Sequence, residues 1–192
     1  MTSFSLDPKT TALVLIDLQN GIVSRPVAPH SGSKVVENSA RLAAALRQAG
    51  GTVAYVHVLM SETLSPVADA APLRDPNAPP PPPIASELVP EAGFQQGDLL
   101  IAKRHWGAFY ATDLDQHLRR RQIRTIIMGG IATNIGVEST ARAALDRGYH
   151  LLFAEDAMSS ISAEAHNFAV QQIFPRMGRV RSAQEIIAAL QQ

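Results

Sequence analysis

Two charged residues and one small-residue turn stand where this sequence can do chemistry. Asp17 ends the apolar run ALVLID (12–17), and Lys103 ends a second run, DLLIAK (98–103). A carboxylate closing a buried segment is costly to desolvate unless paired or hydrogen-bonded, so such residues tend to be kept for function. A lysine at the matching end of another run supplies the cation that keeps a carboxylate ionised or orients a substrate. Each alone has a plainer reading, Asp17 as a capping or structural acid and Lys103 as a solvated strand end; together at one sheet edge they form an acid and base pair. The stretch MGGIATNIGVESTARAA (128–144) joins a strand directly to a helix through small residues. That arrangement lets backbone N–H groups at a helix N-terminus approach a ligand and hold developing negative charge, or else it is simply a tight turn. His105, Trp106, Phe109 and Tyr110 crowd the segment just past Lys103, where an aromatic cluster suits either an apolar pocket wall or ordinary core packing.

The same residues close off several chemistries. The chain contains no cysteine, which removes disulfides, thiolate metal sites and thiol nucleophiles together. No Gly-Lys-Ser/Thr follows the glycine turn as a phosphate-binding loop requires, and Gly-x-Gly-x-x-Gly and Gly-x-Ser-x-Gly are both missing. None of the six histidines pairs at metal-ligand spacing with a nearby acid, so neither an essential metal nor a cofactor is expected, and His57 reads as a hydrogen-bonded core histidine. Lys+Arg 17 balances Asp+Glu 17, giving no global field for nucleic acid or an anionic membrane and leaving small molecules as the expected partners. Arg119 to Arg121 fall in the last turn of a helix, where cations complement the macrodipole. The first residues, MTSFSLDPKT, have neither the basic nor the apolar stretch of a signal peptide, and no run of about 18 apolar residues offers a membrane span. A cytoplasmic location is the expectation.

These groups need elements to hold them. With 192 residues and 46% hydrophobic content, the chain has enough apolar material for one full core, and a single domain over 1–192 is expected. ALVLID is continuously apolar, as in a strand buried on both faces of a parallel sheet. Val35, Leu42, Ala45, Leu46 and Ala49 recur at helical spacing, with Gly50 and Gly51 as the stop. TVAYVHVL (52–59) is the next strand. Residues 60–97 hold nine of the 13 prolines, five in a row at Pro79 to Pro83, which neither a helix nor a central strand absorbs, so a long proline-rich loop is predicted. After the strand at 98–103, Thr112 and Asp115 resemble a capping box for a helix running to Arg121. TIIMGG (125–130) and HLLFAED (150–156) are further strands around a helix over 133–147. A helix capped by Ser162, a short strand GRVRS (178–182) and a last helix opening with a Ser182-x-x-Glu185 capping box finish the chain. Strands alternating with helices require parallel pairing and right-handed crossovers, with the ligand crevice outside the carboxyl ends of the strands. Asp17, Lys103 and the turn from Gly130 to Gly136 all fall there.

LVLIDLQNG with Asp17, IAKRHWGAFYATDL with Lys103 and GGIATNIGVESTARAALDRGY resemble, in order, separation and context, the isochorismatase-like hydrolases, also called the cysteine hydrolase superfamily. The likeness runs from near the first strand to the C-terminus, and the third motif is its most specific part. It implies a Rossmann-like three-layer α/β/α sandwich with a six-stranded parallel sheet of order 3-2-1-4-5-6, a cis peptide near Ile131-Ala132, and a homodimer or homotetramer. In most of the family an Asp, a Lys and a Cys form a triad whose thiolate attacks an amide or nitrile-like carbon. Asp17 and Lys103 match the first two members; Gly136 stands at the Cys position, as the flanking Thr133, Val137, Thr140, Ala141 and Arg142 show. The resemblance further implies Gln19, Trp106, Phe109, Tyr110, Thr133, Asn134 and Ile135 as substrate-binding residues, with no metal. Glycine at that position is what the isochorismatases proper look like, and hydrolysis of an enol ether needs no nucleophilic side chain. Proton transfer to the vinyl carbon gives an oxocarbenium ion that water captures. On that reading Asp17, its pKa raised by burial, is the donor, Lys103 holds substrate or carboxylate in register, and Gly136 leaves room for substrate or water. A substrate with two carboxylates calls for several pocket cations, for which the sequence offers Lys103, Arg104 and Arg142.

Three functions are compatible with these residues. The first is a thiol-free hydrolase of a small ether, ester or amide. The second is a small-molecule-binding or regulatory homologue that kept the pocket without turnover. The third is an interaction module whose proline-rich loop recruits a partner. Retention of both Asp17 and Lys103 favours the hydrolase.

Overall fold

The first apolar run forms β1 (Thr11–Ile16), every residue of it buried, in a computed structural model that describes residues 5–63, 67–70 and 78–191. The chain then continues through α1 (Asn20–Val23), α2 (Gly32–Gln48), β2 (Thr52–Val58), β3 (Leu99–Lys103), α3 (Leu114–Arg120), β4 (Thr125–Ile131), α4 (Glu138–Asp146), β5 (His150–Ser159), α5 (Ala163–Phe168), β6 (Gly178–Arg181) and α6 (Ala183–Leu190). Neighbouring strands are all parallel, in the order β3-β2-β1-β4-β5-β6.

β1 lies inside the sheet because both its faces are apolar. Ala12, Val14 and Ile16 cluster with Leu114 and Leu118 of α3 and with Ala141 and Ala144 of α4. Leu13 and Leu15 pack instead with Val35, Leu42 and Leu46 of α2 and with Ile186 and Leu190 of α6. The two-residue alternation of the strand thus feeds two cores, one on each side of the sheet, and this makes the three-layer α/β/α sandwich. Burying each such Leu or Ile contributes about 1.5–3 kcal/mol, which holds the strand firmly enough to position a charge at its end. Register then sets where the strands stop. Ile16 pairs with Val56 of β2 and with Gly130 of β4, and Lys103 pairs with Val58, so Asp17, Lys103 and the turn after Gly130 emerge along one carboxyl edge.

Helix limits follow their caps. Ser31 accepts from Lys34 N–H at the start of α2, and Ser162 from Ala165 N–H at the start of α5. The Ser182/Glu185 capping box of α6 forms in full. The box expected of Thr112 and Asp115 does not form: Asp113 occupies the N-cap position of α3 and makes no side-chain cap bond. Thr112 Oγ1 donates to Ala108 O, while the Asp115 carboxylate accepts from Tyr149 O–H at 2.8 Å and lies 3.5 Å from Arg119. Tyr149, from another element, has taken the carboxylate that the box would need, and Thr112 bonds to its own neighbours Ala108 and Leu114 instead.

Two segments differ in extent from the sequence expectation. β5 runs past Asp156 to Ser159, and a register shift between Met128 and Gly130 of β4 takes up the added length. The proline-rich stretch predicted as a loop over 60–97 contains 3-10 turns at Pro83–Ser86 and Pro90–Ala92; its residues 64–66 and 71–77 lie outside the described residues. The later part of this stretch is tied to the sheet, since Tyr55 O–H donates to Ala92 O at 2.7 Å and Arg47, paired with Asp98 at 2.8 Å, donates to Gly93 O. Among the described residues, no helix is long and apolar enough to cross a membrane.

Candidate active site

Asp17 follows β1 with φ of 55°. This is the left-handed region, which costs an L residue about 1–2 kcal/mol and which Asp tolerates better than most. Its N–H still continues the sheet, donating to Val56 O at 2.8 Å. The carboxylate is therefore anchored at the sheet edge while the chain turns away from the strand.

Lys103 meets it there. The Lys103 Nζ donates to Asp17 Oδ2 at 2.8 Å and to the carbonyls of His105 and Trp106 at 3.1 Å each. Three acceptors for three N–H groups is a complete set for an ammonium. Both side chains are shut away from water, Lys103 2% and Asp17 9% exposed. Burial pushes the Asp17 carboxyl above its ordinary range, and the charge and hydrogen bond of Lys103 pull it back only in part. Asp17 Oδ1 has no hydrogen-bond partner among the described residues. A buried acceptor left unmade is unfavourable, so this oxygen is the natural place for a proton or for a donor brought by a ligand.

The elbow after β4 supplies the third component. Gly130 has φ of 115°, and a Cβ there would lie 2.1 Å from Ile16 O, so only glycine lets β4 run this close to β1. The Ile131–Ala132 peptide is cis, as the resemblance implies. Thr133–Val137 then form one π-helical turn leading into α4, a feature frequent at functional sites. This turn aims position 136 at the acid. A Cβ on Gly136 would sit 3.5 Å from Asp17 Oδ2, 3.5 Å from Trp106 O and 3.0 Å from Ile16 Cγ2. Asp17, Lys103 and Gly136, far apart in sequence, converge on one carboxylate oxygen.

The remaining residues singled out from the sequence divide into three groups. Trp106 and Tyr110 lie on the surface near Lys103, 66% and 67% exposed, with the Tyr110 ring edge-on to His105 at 4.8 Å. Phe109 is buried, stacked against Tyr149 at 6.0 Å with Arg147 over its face, and so belongs to the core and not to a pocket wall. Gln19, Thr133, Asn134 and Ile135 bond to protein. The Gln19 amide donates to Val58 O and Ala85 O at 3.0 Å and accepts from Val58 N–H at 2.8 Å, which ties the proline-rich segment to β2. Thr133 Oγ1 lies 2.8 Å from His166 Nδ1, Asn134 Oδ1 accepts from the Ser160 hydroxyl, and Ile135 N–H donates to Ala132 O.

The cations are committed too. Arg104 pairs with Glu62 at 2.6 Å and Arg142 with Glu138 at 2.8 Å. His57 is half-buried, not fully in the core, and its Nδ1 lies 2.8 Å from Ser86 O. It borders an open apolar groove of about 540 Å³ with Leu59, Pro83, Leu88, Phe94 and Leu100, whose lining includes neither Asp17 nor Lys103. One grouping escaped sequence reasoning: His30, Glu155 and His166 each bring a ligand atom within 4.8 Å of the others. Their separations fit no ligand-spacing pattern. The available signal was Glu155, which ends the apolar run HLLFA much as Asp17 ends ALVLI.

Residues 11–185 match the Isochorismatase domain. The chain is 46% identical over 197 residues to the isochorismatase family protein YecD of Escherichia coli O157:H7, covering 96% of this chain and 98% of YecD. It is 31% identical over 216 residues to the ureidoacrylate amidohydrolase RutB of Methylobacterium radiotolerans, covering 97% of this chain and 81% of RutB. Among solved structures, an isochorismatase family protein from Burkholderia thailandensis superimposes with a TM-score of 0.84 at 44% identity, with complete coverage of both chains. An ion-paired acid at the carboxyl edge of a sheet ordered 3-2-1-4-5-6 is thus found on a fold and a sequence shared with isochorismatase-family proteins. The chain belongs to the isochorismatase family and is a hydrolase.

Proposed function

We propose that this hydrolase acts on a small molecule by general acid catalysis from Asp17, with Lys103 holding the acid in register and no covalent enzyme intermediate. The observation that carries the reading is the buried 2.8 Å contact of Lys103 Nζ with Asp17 Oδ2, together with position 136 only 3.5 Å from the same oxygen. In a chain without cysteine, the position opposite the acid carries no nucleophile, and the attacking group is water. Burial that raises the Asp17 pKa keeps a proton on the carboxyl at higher pH, as a general acid requires.

For an enol ether of the isochorismate type, Asp17 delivers its proton to the vinyl carbon. The C=C electron pair forms the new C–H bond, and the ether oxygen shares the positive charge left on the adjacent carbon. Water adds to that carbon and loses a proton to Asp17, and the resulting hemiketal releases the alcohol. Trp106 and Tyr110 form the rim of the site, and the amides of Asn134 and Gly136 face a substrate oxygen. Charge narrows the substrate class. Arg104 and Arg142 already hold Glu62 and Glu138, so a substrate with two carboxylates has to displace one of them, whereas neutral or singly charged ethers, esters and amides do not. The relative RutB is a ureidoacrylate amidohydrolase, which puts amides on the test panel beside enol ethers. Assembly as a homodimer or homotetramer is part of this proposal, and sedimentation measures it.

The test assays wild type, Asp17→Asn and Lys103→Ala against isochorismate and small enol ethers, esters and amides. Wild-type turnover that falls about 10²–10⁴-fold in Asp17→Asn is the expected result. Turnover that survives Asp17→Asn in folded protein refutes the acid assignment. No turnover by folded wild type, with panel compounds bound in calorimetry, identifies a ligand-binding homologue instead.

A further inference from the structure

His166 is 2% exposed, and its Nδ1 lies 2.8 Å from Thr133 Oγ1, which leaves Nε2 as the ring nitrogen available to ligate. His30 approaches from the segment before α2, its ring edge-on to that of His166 with centroids 5.8 Å apart. Its backbone is fixed to the end of β5: Ala28 and Ser160 exchange N–H···O bonds at 2.8 and 2.9 Å, and Ser159 Oγ donates to His30 O at 2.7 Å. Glu155 of β5 places Oε2 3.8 Å from His30 Nε2. A simple ion pair accounts for His30 and Glu155. It does not account for a third, buried imidazole, held to Thr133 through Nδ1, that brings a ring nitrogen within 4.8 Å of a ligand atom of each.

We propose that His30, Glu155 and His166 form a binding site for one divalent transition-metal ion, with zinc the expected occupant, adjoining the elbow but separate from Asp17 and Lys103. Two imidazoles and a carboxylate are a donor set that borderline divalent ions take, with a fourth position left for water. Zinc bonds of about 2.0–2.2 Å at tetrahedral angles put ligand atoms about 3.3–3.6 Å apart. The trio, already within 4.8 Å, closes on an ion by side-chain shifts of about 1 Å. The His30 and Glu155 side chains are 29% and 38% exposed and free to make those shifts, while His166 is held in place. On this proposal Thr133 Oγ1, 2.8 Å from Nδ1, accepts from Nδ1–H, the arrangement that fixes the tautomer and orientation of a ligating histidine. Thr133 also opens the π turn that carries Gly136, so one hydrogen bond links the ion to the elbow.

The test uses full-length, metal-stripped protein. Zn²⁺ is titrated against a chromogenic chelator, and Co²⁺ is followed by visible absorption. One equivalent per chain is expected, with the strong d–d absorption of a four-coordinate cobalt site that added Zn²⁺ abolishes. His30→Ala and Glu155→Gln, both at half-exposed positions that leave the fold intact by circular dichroism, each weaken Zn²⁺ binding at least about 10-fold, and Thr133→Val weakens it about 10–100-fold. His117→Ala, which removes a surface histidine paired with Asp113 at 3.1 Å, leaves binding unchanged. Equal affinity in wild type and both ligand variants overturns the proposal, as does binding that depends on His117, or no Zn²⁺ binding by folded wild type.

Discussion

Replacing Lys103 by Met removes the ammonium beside Asp17 while keeping most of the side chain's volume. At 2.8 Å and an effective dielectric of about 20, the attraction lost is about 6 kcal/mol. Against this, the unfolded chain no longer has to bring a charged lysine out of water, which offsets several kcal/mol. The carboxyl left behind limits its own penalty by staying protonated. The net loss expected at neutral pH is about 3–5 kcal/mol, the usual result of deleting one partner of a buried pair. Asp17→Asn loses a similar amount, and the double variant loses less than the two singles added, by at least about 2 kcal/mol.

The pH dependence has a definite sign. Folding raises the Asp17 pKa above 3.8, so its proton-linked stability is fully present below pH 3.8 and is lost as pH rises through the folded value. Lys103→Met lifts that folded value further, so the variant's deficit is smallest in acid and grows over a wider range toward neutrality. Urea unfolding of the four proteins across pH measures both effects. Losses that add within about 0.5 kcal/mol, or a deficit independent of pH, refute the buried pair as described.

Three other outcomes follow from the same geometry. His166, lowered from 6.5 to about 4, stays neutral in the fold while the unfolded chain takes up a proton, so metal-free protein should lose stability as pH falls from 6.5 toward 4. The loss is no more than about 3 kcal/mol; His166→Gln flattens it, and a flat wild-type profile contradicts it. Gly130→Ala puts a Cβ 2.1 Å from Ile16 O and should cost about 3 kcal/mol or more; an unchanged urea midpoint rules out the close approach. Gly136→Cys gives a chain that has no other cysteine one thiol beside Asp17, at a cost of about 1–3 kcal/mol as Ile16 gives way. That thiol should react with a small electrophile in the native state, and reaction only after unfolding would exclude ligand access to position 136.

Much of the fold was legible because its causes are local. A strand covered on both faces must be apolar throughout, and a packed helix must repeat its apolar residues every three or four positions, so both leave patterns in ten or fifteen residues. Asp17 and Lys103 stood out for the same reason: each breaks such a run at its end. The Ser182/Glu185 box was readable because both partners sit within one turn. The Thr112/Asp115 box was not, because Tyr149 competes for the Asp115 carboxylate from another element.

The sequence by itself determined the alternating parallel architecture and the charged residues at its carboxyl edge. Tertiary structure alone decided which polar and aromatic side chains stay exposed and which are turned to protein. Gln19 is spent on Val58 and Ala85, Thr133 on His166, and Phe109 on Tyr149. Spacing along the chain holds no record of these neighbours, since side-chain direction depends on what packing brings alongside. His30, Glu155 and His166 are the extreme case: they become neighbours only because the segment before α2, the strand β5 and the helix α5 come together in the fold.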